Sequence, residues 1–279
     1  MILIADCGST KTDWCVVSCG DIVRRVSTGG MNAVMLTEEE MTRRIASELL
    51  PLLGDENIDR VYFYGAGCLA DEVCDNVRRA IAANIPSART IEVYTDLLAA
   101  ARALCGRGPG IACIMGTGSN SCYYDGEKIC DNVSPLGYIL GDEGSGAVLG
   151  RLLIGDVLKN QLPQHLCEKF LREYDLDRLT IIRRVYKEPQ ANRFLASVTP
   201  FLLENISEPS IRAIVFESFM SFFRRNVLQY GRARSLSINF IGSIAYYYCE
   251  VLHEAATASG LTLGTVLPGP MPGLIAYHS

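Results

Sequence analysis

The chain contains one short arrangement twice: an apolar strand-like run, a turn of glycine and hydroxyl residues, and a second strand-like run. Aligning Gly8 with Gly116 places ILIADCGSTKTDWCVV beside CIMGTGSNSCYYDG. Such turns expose backbone N–H groups and hydroxyls, which are the donors that phosphate oxygens require. The identity between the copies is slight, and a single Gly-Ser turn is most often an ordinary hairpin. The pair therefore indicates an internal repeat and a candidate phosphate site.

The first 100 residues alternate between strand and helix periods, as an α/β domain does. The first three strands are expected to form an antiparallel meander. The predicted order is βββαβαβα, with strands at 2–7, 13–18, 21–28, 61–64 and 90–95 and helices at 37–53, 69–83 and 97–104. A break in composition at 106–110 is the candidate boundary between domains 1–107 and 108–279.

The second half is expected to be largely helical from about residue 145 to residue 230. A strand is predicted at 237–241 and a helix at about 245–258. The remaining segment, 261–274, is rich in Gly and Pro, and no element is predicted there. The middle block, about 151–230, contains no recognisable motif, and its apolar faces are suited to forming a homodimer.

Composition limits the function classes. A length of 279 residues allows two domains, and 49% hydrophobic with 20% charged residues indicates a globular protein. A net charge of -5, with no Lys or Arg run longer than two residues, argues against a nucleic-acid partner and favours small molecules. The start lacks the pattern of a secretory signal, no membrane segment is expected, and eleven cysteines without a CxxC pair favour a reduced cytoplasmic protein.

Two acidic residues lie within or directly after apolar strands. Asp6 lies inside an apolar strand, where burial disfavours a carboxylate unless a cation or hydrogen-bond donors compensate. A water-bridged Mg²⁺ would compensate, and so would the backbone donors of the following turn. Asp96 follows the strand TIEVYT, where it is suited to cap the next helix and also to accept a proton from a substrate hydroxyl at the sheet edge.

Three further segments are candidates for ligand contact. Gly242-Ser243 is a third short turn after a strand, and Asn32 is a polar residue after another. The stretch SPLGYILGDEGSG, at 134–146, surrounds Asp142 and Glu143 with glycines that permit close approach of a ligand. The chain contains neither a P-loop nor a GxGxxG motif.

A series of motifs follows in a fixed order along nearly the whole chain: DCGSTKTDW, YGAGC, TDLLAAARA, IMGTGSN, LGYILGDEGSGAVLGR and NFIGSIA. Together they resemble the N-acetylglucosamine kinase-like branch of the actin, hexokinase and Hsp70 superfamily, which is related to the BadF/BadG-type ATPases. The resemblance implies two α/β, ribonuclease-H-like domains around a cleft, the second with a large helical insertion. It also implies ATP-dependent, Mg²⁺-dependent phosphorylation of the 6-hydroxyl of N-acetylglucosamine or a related amino sugar.

The resemblance also assigns roles to residues. Asp96 would be the catalytic base and Asp6 would belong to the Mg²⁺ shell. The cofactor-binding residues implied are Gly8, Ser9, Thr10, Lys11, Thr12, Gly116, Thr117, Gly118, Gly242 and Ser243. The substrate-binding residues implied are Asn32, Asp96, Ser119, Asn120, Gly137 and Asp142.

Alternatives remain open at this point. Ala33-Val34-Met35 replaces the bulky or aromatic residues that the kinases commonly carry after the equivalent of Asn32, so the identity of the amino sugar is open. N-acetylmuramic acid is a close variant of the first candidate acceptor. The related activators of 2-hydroxyacyl-CoA dehydratases and benzoyl-CoA reductase hold an iron–sulfur cluster through cysteines. Cys122, Cys130 and Cys167 are the candidate ligands here, although their surroundings do not repeat the activators' motifs. A sugar sensor without catalysis is disfavoured by the intact Asp6 and Asp96.

Overall fold

The computed structural model describes residues 1–8, 11–54 and 56–279. The chain divides into two compact units, Met1–Arg107 with Pro270–Ser279 and Gly108–Gly269. Each unit is built on one five-stranded mixed sheet. No helix within the described ranges has the length and apolar character needed to cross a membrane.

The first sheet consists of a meander followed by parallel strands. Its strands are β1 (Ile2–Cys7), β2 (Lys11–Ser18), β3 (Asp21–Gly29), β4 (Arg60–Gly65) and β5 (Thr90–Thr95). Their order is β3-β2-β1-β4-β5, with β1, β2 and β3 antiparallel and β1, β4 and β5 parallel. The predicted antiparallel meander is confirmed.

Helices of the first unit pack on both faces of this sheet. They are α1 (Glu38–Arg44), a π-helical turn (Ile45–Leu49), α2 (Leu50–Leu53), α3 (Asp71–Asn84) and α4 (Asp96–Cys105). Thr37 and Glu40 form a reciprocal capping box at the start of α1, which fixes the beginning of this helix as predicted. Met41, Ile45 and Leu49 are buried on one stripe against the sheet.

The second sheet repeats the first. Its strands are β6 (Gly110–Met115), β7 (Ser119–Tyr124), β8 (Ile129–Asp131), β9 (Ser237–Ile241) and β10 (Thr262–Leu267). The order β8-β7-β6-β9-β10 matches that of the first sheet, with β6 antiparallel to β7 and parallel to β9. The predicted duplication is therefore confirmed, and so is the two-domain α/β fold class.

A helical insertion separates β8 from β9, as predicted. The helices after β8 are α5 (Gly137–Leu140), α6 (Gly146–Leu158), α7 (Gln164–Glu173), α8 (Arg178–Tyr186), α9 (Ala191–Ser197), α10 (Thr199–Glu204) and α11 (Pro209–Arg225). Two more, α12 (Ser243–Tyr247) and α13 (Cys249–Ala258), follow β9. Aromatic side chains, Phe170, Phe201, Phe219 and Phe222 among them, join the insertion to the sheet in one apolar core.

The last ten residues differ from the sequence-based division, which placed them in domain 108–279. They form α14 (Met271–His278), which belongs to the first unit. Met271, Leu274 and Ile275 are buried against β1 and β2 residues, since this face of the first sheet would otherwise be exposed to water. Gly273 allows the close approach, because a Cβ there would lie 2.2 Å from the Ala103 carbonyl oxygen of α4.

Candidate active site

Parallel strands of the first unit end together at one edge of the sheet. Cys7 of β1 is level with Gly65 of β4, and Gly65 is level with Thr95 of β5. Asp6 therefore lies just inside this edge, and Asp96 follows β5 directly. The structure brings together the two carboxylates that the sequence singled out, at the position where open α/β sheets bind ligands.

The ionisation of Asp6 reflects this grouping. Burial is the main cause that raises the pKa of Asp6 to about 7. The carboxylates of Asp13 and Asp96 raise this pKa further, and the Lys11 ammonium opposes them. A cation bound at this edge would favour the charged form of Asp6.

The turn between β1 and β2 carries the first predicted phosphate loop. It closes with a hydrogen bond of 2.9 Å from the Gly8 N–H to the Lys11 carbonyl oxygen. The exposed Lys11 ammonium lies 2.9 Å from Asp13 Oδ1. Ser9 and Thr10 lie outside the described residues.

Thr12 differs from its neighbours in this loop. Its side chain is buried, and its hydroxyl donates to Cys7 Sγ at 3.1 Å, with the Gly29 carbonyl oxygen 3.2 Å away. Cys7 Sγ in turn accepts from the Met31 N–H at 3.3 Å. The Thr12 hydroxyl therefore holds the sheet edge together, and only its backbone is suited to contact a phosphate.

Asp96 is the first residue of α4 and not its cap. Thr95 caps the helix by accepting from the Leu98 N–H at 3.1 Å, so the expectation that Asp96 is the N-cap was wrong. Thr95 is the N-cap because its extended backbone lets its hydroxyl reach that N–H. Asp96 Oδ1 accepts from the Leu97 N–H at 2.9 Å. Burial raises the pKa of Asp96 despite this hydrogen bond.

Asn32 lies in the loop after β3, next to the loop after β4. Its side-chain oxygen accepts from the Val34 N–H at 3.0 Å. A Cβ on Gly67 would lie 2.9 Å from the same oxygen, so the two loops touch. Asn32 thus belongs to the same sheet edge as Asp6 and Asp96.

In the second unit, the turn at residues 116–118 is fastened to the start of α6. The Gly116 carbonyl oxygen accepts from the Gly146 N–H at 2.8 Å, and the Thr117 carbonyl oxygen accepts from the Ala147 N–H at 3.1 Å. Ser145 caps α6 through the Val148 N–H. The helix therefore fixes the backbone of this turn, which is the second predicted phosphate loop.

Gly242 lies directly against this turn. It has a φ of 120°, and a Cβ there would lie 2.4 Å from the Met115 carbonyl oxygen. Ser243 begins α12 and lines a mostly apolar cavity of about 330 Å³, together with Pro200, Ile244 and Tyr247. The structure thus places the predicted nucleoside residues beside the second predicted phosphate loop.

Asp142 joins the same group from the loop before α6. Its carboxylate accepts backbone hydrogen bonds from Ser119 and Gly137, and a Cβ on Gly118 would lie 3.1 Å from its Oδ2. Burial is the main cause that raises the pKa of Asp142 to about 6. Asn120 Oδ1 accepts from the Ser121 N–H and from Asn132 Nδ2, both at 2.9 Å. The predicted sugar-side residues of this unit therefore lie around one turn.

Sequence reasoning missed one acidic residue at these edges and the tertiary contact of another. Asp13 is opposite Asp6 in the β1–β2 register and pairs with Lys11. The sequence feature that could have indicated Asp13 was its position in the hairpin, two residues beyond Lys11. Glu143 was noted only as an acid in a glycine-rich stretch, whereas its side chain lies 2.5 Å from Arg225 Nε. That contact joins distant parts of the sequence, so no local pattern indicated it.

The cysteine alternative finds no support in this geometry. Cys122 and Cys167 are buried, and Cys130 is exposed. Cys130 contacts Asp125, and Cys167 donates to the Leu162 carbonyl oxygen. Within the part of the chain that the structure describes, no group of three or more His, Cys, Asp and Glu side chains is arranged to hold a metal.

Solved structures of known proteins resemble the whole chain. A candidate N-acetylglucosamine kinase from Porphyromonas gingivalis is 51% identical, with a TM-score of 0.97, covering 100% of this chain and 98% of that one. A candidate N-acetylglucosamine kinase from Chromobacterium violaceum shares the fold at 15% identity and a TM-score of 0.79, covering 100% and 98%. A ROK-family glucokinase from Streptomyces griseus, solved with glucose and AMPPNP, aligns at 14% identity and a TM-score of 0.55, covering 99% and 97%. No protein-family model and no curated protein matches the chain.

Proposed function

Because the chain belongs to the N-acetylglucosamine kinase-like family with the actin/hexokinase-type fold, we propose that it is an ATP-dependent amino-sugar kinase. It transfers the γ-phosphoryl group of ATP to the 6-hydroxyl of N-acetylglucosamine or a close relative. The observation that carries the proposal is 51% identity over the entire chain to a candidate kinase for that sugar. The grouped carboxylates at the first sheet edge support it.

Phosphate binding is assigned to the two glycine turns. Phosphoryl transfer depends mainly on in-line positioning and on neutralising the charge of the transferring group. In the first loop, Ser9 and Thr10 are assigned to the phosphates together with the Lys11 ammonium, whereas the Gly8 N–H already donates to the Lys11 carbonyl oxygen. Gly116, Thr117 and Gly118 supply the second loop, whose backbone is held by α6.

Mg²⁺ fits the donor set of the first sheet edge. Asp6 is the residue that would hold it, through water, because Mg²⁺ retains several waters and takes few carboxylate ligands. The clustering of Asp6 with Asp13 and Asp96 creates the negative field that such a cation neutralises. When bound, Mg²⁺ offsets the charge of the ATP phosphates.

Asp96 is assigned as the general base. Its raised pKa makes it a stronger proton acceptor than an ordinary carboxylate, and the backbone of α4 fixes its position. A positioned base typically contributes about 10² to 10⁴ in rate. The acceptor hydroxyl loses its proton to Asp96 as its oxygen bonds to the γ-phosphorus and the bond from that phosphorus to the bridging oxygen of the departing ADP breaks.

The remaining assignments follow the placement of the residues. Gly242 and Ser243 bind the nucleoside, and the apolar cavity beside Ser243 has the character of a base-binding site. Asn32, Ser119, Asn120, Gly137 and Asp142 bind the hydroxyl and amide groups of the sugar. We also propose that the protein acts in the cytoplasm and forms a homodimer. We propose no nucleic-acid partner.

A substrate panel tests this proposal. The wild-type protein is incubated with ATP, Mg²⁺ and, separately, N-acetylglucosamine, N-acetylmuramic acid, N-acetylmannosamine and glucose, and ADP release and the phosphorylated position are measured. We expect the highest kcat/KM for N-acetylglucosamine, with phosphate on O6. Asp96→Asn should lower kcat by about 10²-fold or more while sugar binding persists. Absence of phosphorylation with every sugar would overturn the proposal, and undiminished activity of Asp96→Asn would remove Asp96 from the mechanism.

A further inference from the structure

The loop that carries Asp142 contains four residues with a left-handed backbone. Leu136 has a φ of 62° and Asp142 a φ of 52°, both in the left-handed region that side chains disfavour. Gly137 and Gly144 are also left-handed, with φ of 74° and 76°. Such a conformation persists only where surrounding contacts determine it.

Apolar packing supplies only part of those contacts. Leu136, Ile139 and Leu140 are 60%, 69% and 69% exposed. A cavity of about 350 Å³ adjoins Ile139 and Leu140 and is lined on another side by residues of α11. Around α5, Tyr138 packs against the core of the second unit, whereas the side chains of Leu136, Ile139 and Leu140 are mostly exposed.

Polar contacts to α11 and to Asn226, the residue that follows it, add to that packing. Glu143 Oε1 lies 2.5 Å from Arg225 Nε, and Glu143 Oε2 accepts from Asn226 Nδ2 at 3.2 Å. The Gly144 N–H donates to Ser218 Oγ at 3.1 Å. The Glu143 carboxylate is largely buried, whereas Arg225 is mostly exposed.

Adjacent residues of this loop have different partners. The Asp142 carboxylate contacts Gly118 and accepts from the Ser119 backbone. The Glu143 side chain contacts α11, while its carbonyl oxygen accepts from Ser119 Oγ at 2.8 Å. Movement of Glu143 would therefore displace both Asp142 and Ser119.

We propose that Glu143 is a positioning residue that the helical insertion uses, through Arg225 and Asn226, to hold Asp142 and Ser119 in place for the acceptor sugar. This inference rests on the proposed function. It gives the insertion, which carries no motif of its own, a role in acceptor affinity. Glu143 itself does not touch the reacting atoms, so its removal acts on sugar binding and leaves the chemical step largely intact.

The test compares Glu143→Gln with the matched control Glu188→Gln. Glu188 forms an exposed ion pair with Arg183 at 3.0 Å in the same helical insertion, remote in sequence from the loop. We expect Glu143→Gln to raise the KM for N-acetylglucosamine at least fivefold, with kcat and the KM for ATP changed less than twofold. Arg225→Met should act in the same direction, Arg225→Lys should retain most of the affinity, and Glu188→Gln should change nothing.

A second measurement does not depend on kinase activity. Amide hydrogen exchange of residues 135–145, followed by mass spectrometry, should be at least tenfold faster in Glu143→Gln than in the wild type and in Glu188→Gln. Unchanged exchange overturns the inference, whatever the enzyme assay shows. If the wild type phosphorylates the sugar and Glu143→Gln retains its KM, the inference fails while the proposed function stands. If no sugar is phosphorylated, the proposed function fails, and exchange alone decides whether Glu143 holds the loop.

Discussion

Gly242 and the carbonyl oxygen of Met115 are packed so closely that a Cβ on Gly242 would lie 2.4 Å from that oxygen. Gly242 also has a φ of 120°, which side chains rarely adopt. The contact joins the end of β9 to the end of β6, where the proposed second phosphate loop begins. We predict that Gly242→Ala lowers the free energy of unfolding by at least about 2 kcal/mol and raises the KM for ATP.

Gly231→Ala is the control for this prediction. Nothing lies within 4 Å of a Cβ at Gly231. Urea unfolding should show a change within about 0.5 kcal/mol for this variant. Equal stability of the Gly242 and Gly231 variants would show that the backbone relaxes around Gly242 without cost.

Asp142 should make sugar binding depend on pH. Its pKa is raised to about 6, so the carboxylate that we propose accepts hydrogen bonds from sugar hydroxyls is lost as the pH falls through that value. We expect the KM for the sugar to rise severalfold between pH 7.5 and about pH 5.5. Asp142→Asn should have a high KM at all pH values and lose this dependence. A wild-type KM that is constant over the range contradicts the assignment of Asp142 to the sugar.

The Asp142 carboxyl should also affect the stability of the fold, and this stability should decrease as the pH rises, whereas sugar binding improves. The pKa of this carboxyl is higher in the folded state than in the unfolded state, so the folded state binds the proton more tightly. Its favourable contribution to the free energy of unfolding is therefore complete below pH 3.8 and is lost as the pH rises through about 6. At pH 7.5, Asp142→Asn removes this cost and should stabilise the fold by roughly 1 kcal/mol, allowing for solvent screening. Thermal unfolding should show a Tm higher by about 2–4 °C. A lower Tm at pH 7.5 would mean that the ionised carboxylate contributes more through its backbone hydrogen bonds than burial costs.

Asp96 should determine the acid limb of kcat. Burial raises its pKa above the ordinary 3.8, and the protonated carboxyl cannot accept the proton of the acceptor hydroxyl. We expect kcat with saturating sugar to fall as the pH is lowered, with an apparent pKa above 3.8. In Asp96→Asn the small residual rate should be independent of pH over that range. An identical acid limb in the variant would assign the titration to another group.

Local patterns predicted the strands that position the site. The strands at 90–95 and 237–241 were predicted with the bounds that the structure has, because each is a short apolar run ended by a polar or glycine residue. Asp6 and Asp96 were identifiable for the same reason, as acids at the ends of apolar runs. The role of Asp96 as catalytic base came from the family resemblance and remains a prediction.

Features that depend on contacts distant in sequence were not predictable in this way. No element was predicted in the Gly- and Pro-rich segment 261–274, whereas Gly264 lies in β10 at a bulge where a Cβ would be 2.2 Å from Asn239 Oδ1. The Thr265 N–H donates to the same oxygen at 2.9 Å. A glycine is therefore needed at position 264 because Asn239 of the neighbouring strand β9 leaves no space for a Cβ. The contact between Glu143 and Arg225 is likewise a product of the tertiary fold.

The association of α14 with the first unit leads to a final prediction. Leu274 is 0% exposed and packs with Ile4 and Val17 of the first sheet. Leu274→Ala should lower the free energy of unfolding by about 2–5 kcal/mol, through lost burial and the cavity left behind. The control Leu179→Ala, at a side chain that is 80% exposed, should change it by less than about 0.5 kcal/mol.

Urea unfolding followed by Trp14 fluorescence reports on the first unit, since Trp14 is the one tryptophan of the chain and is buried there. If Leu274→Ala leaves the Trp14 transition unchanged, the last ten residues do not complete the core of the first unit in solution.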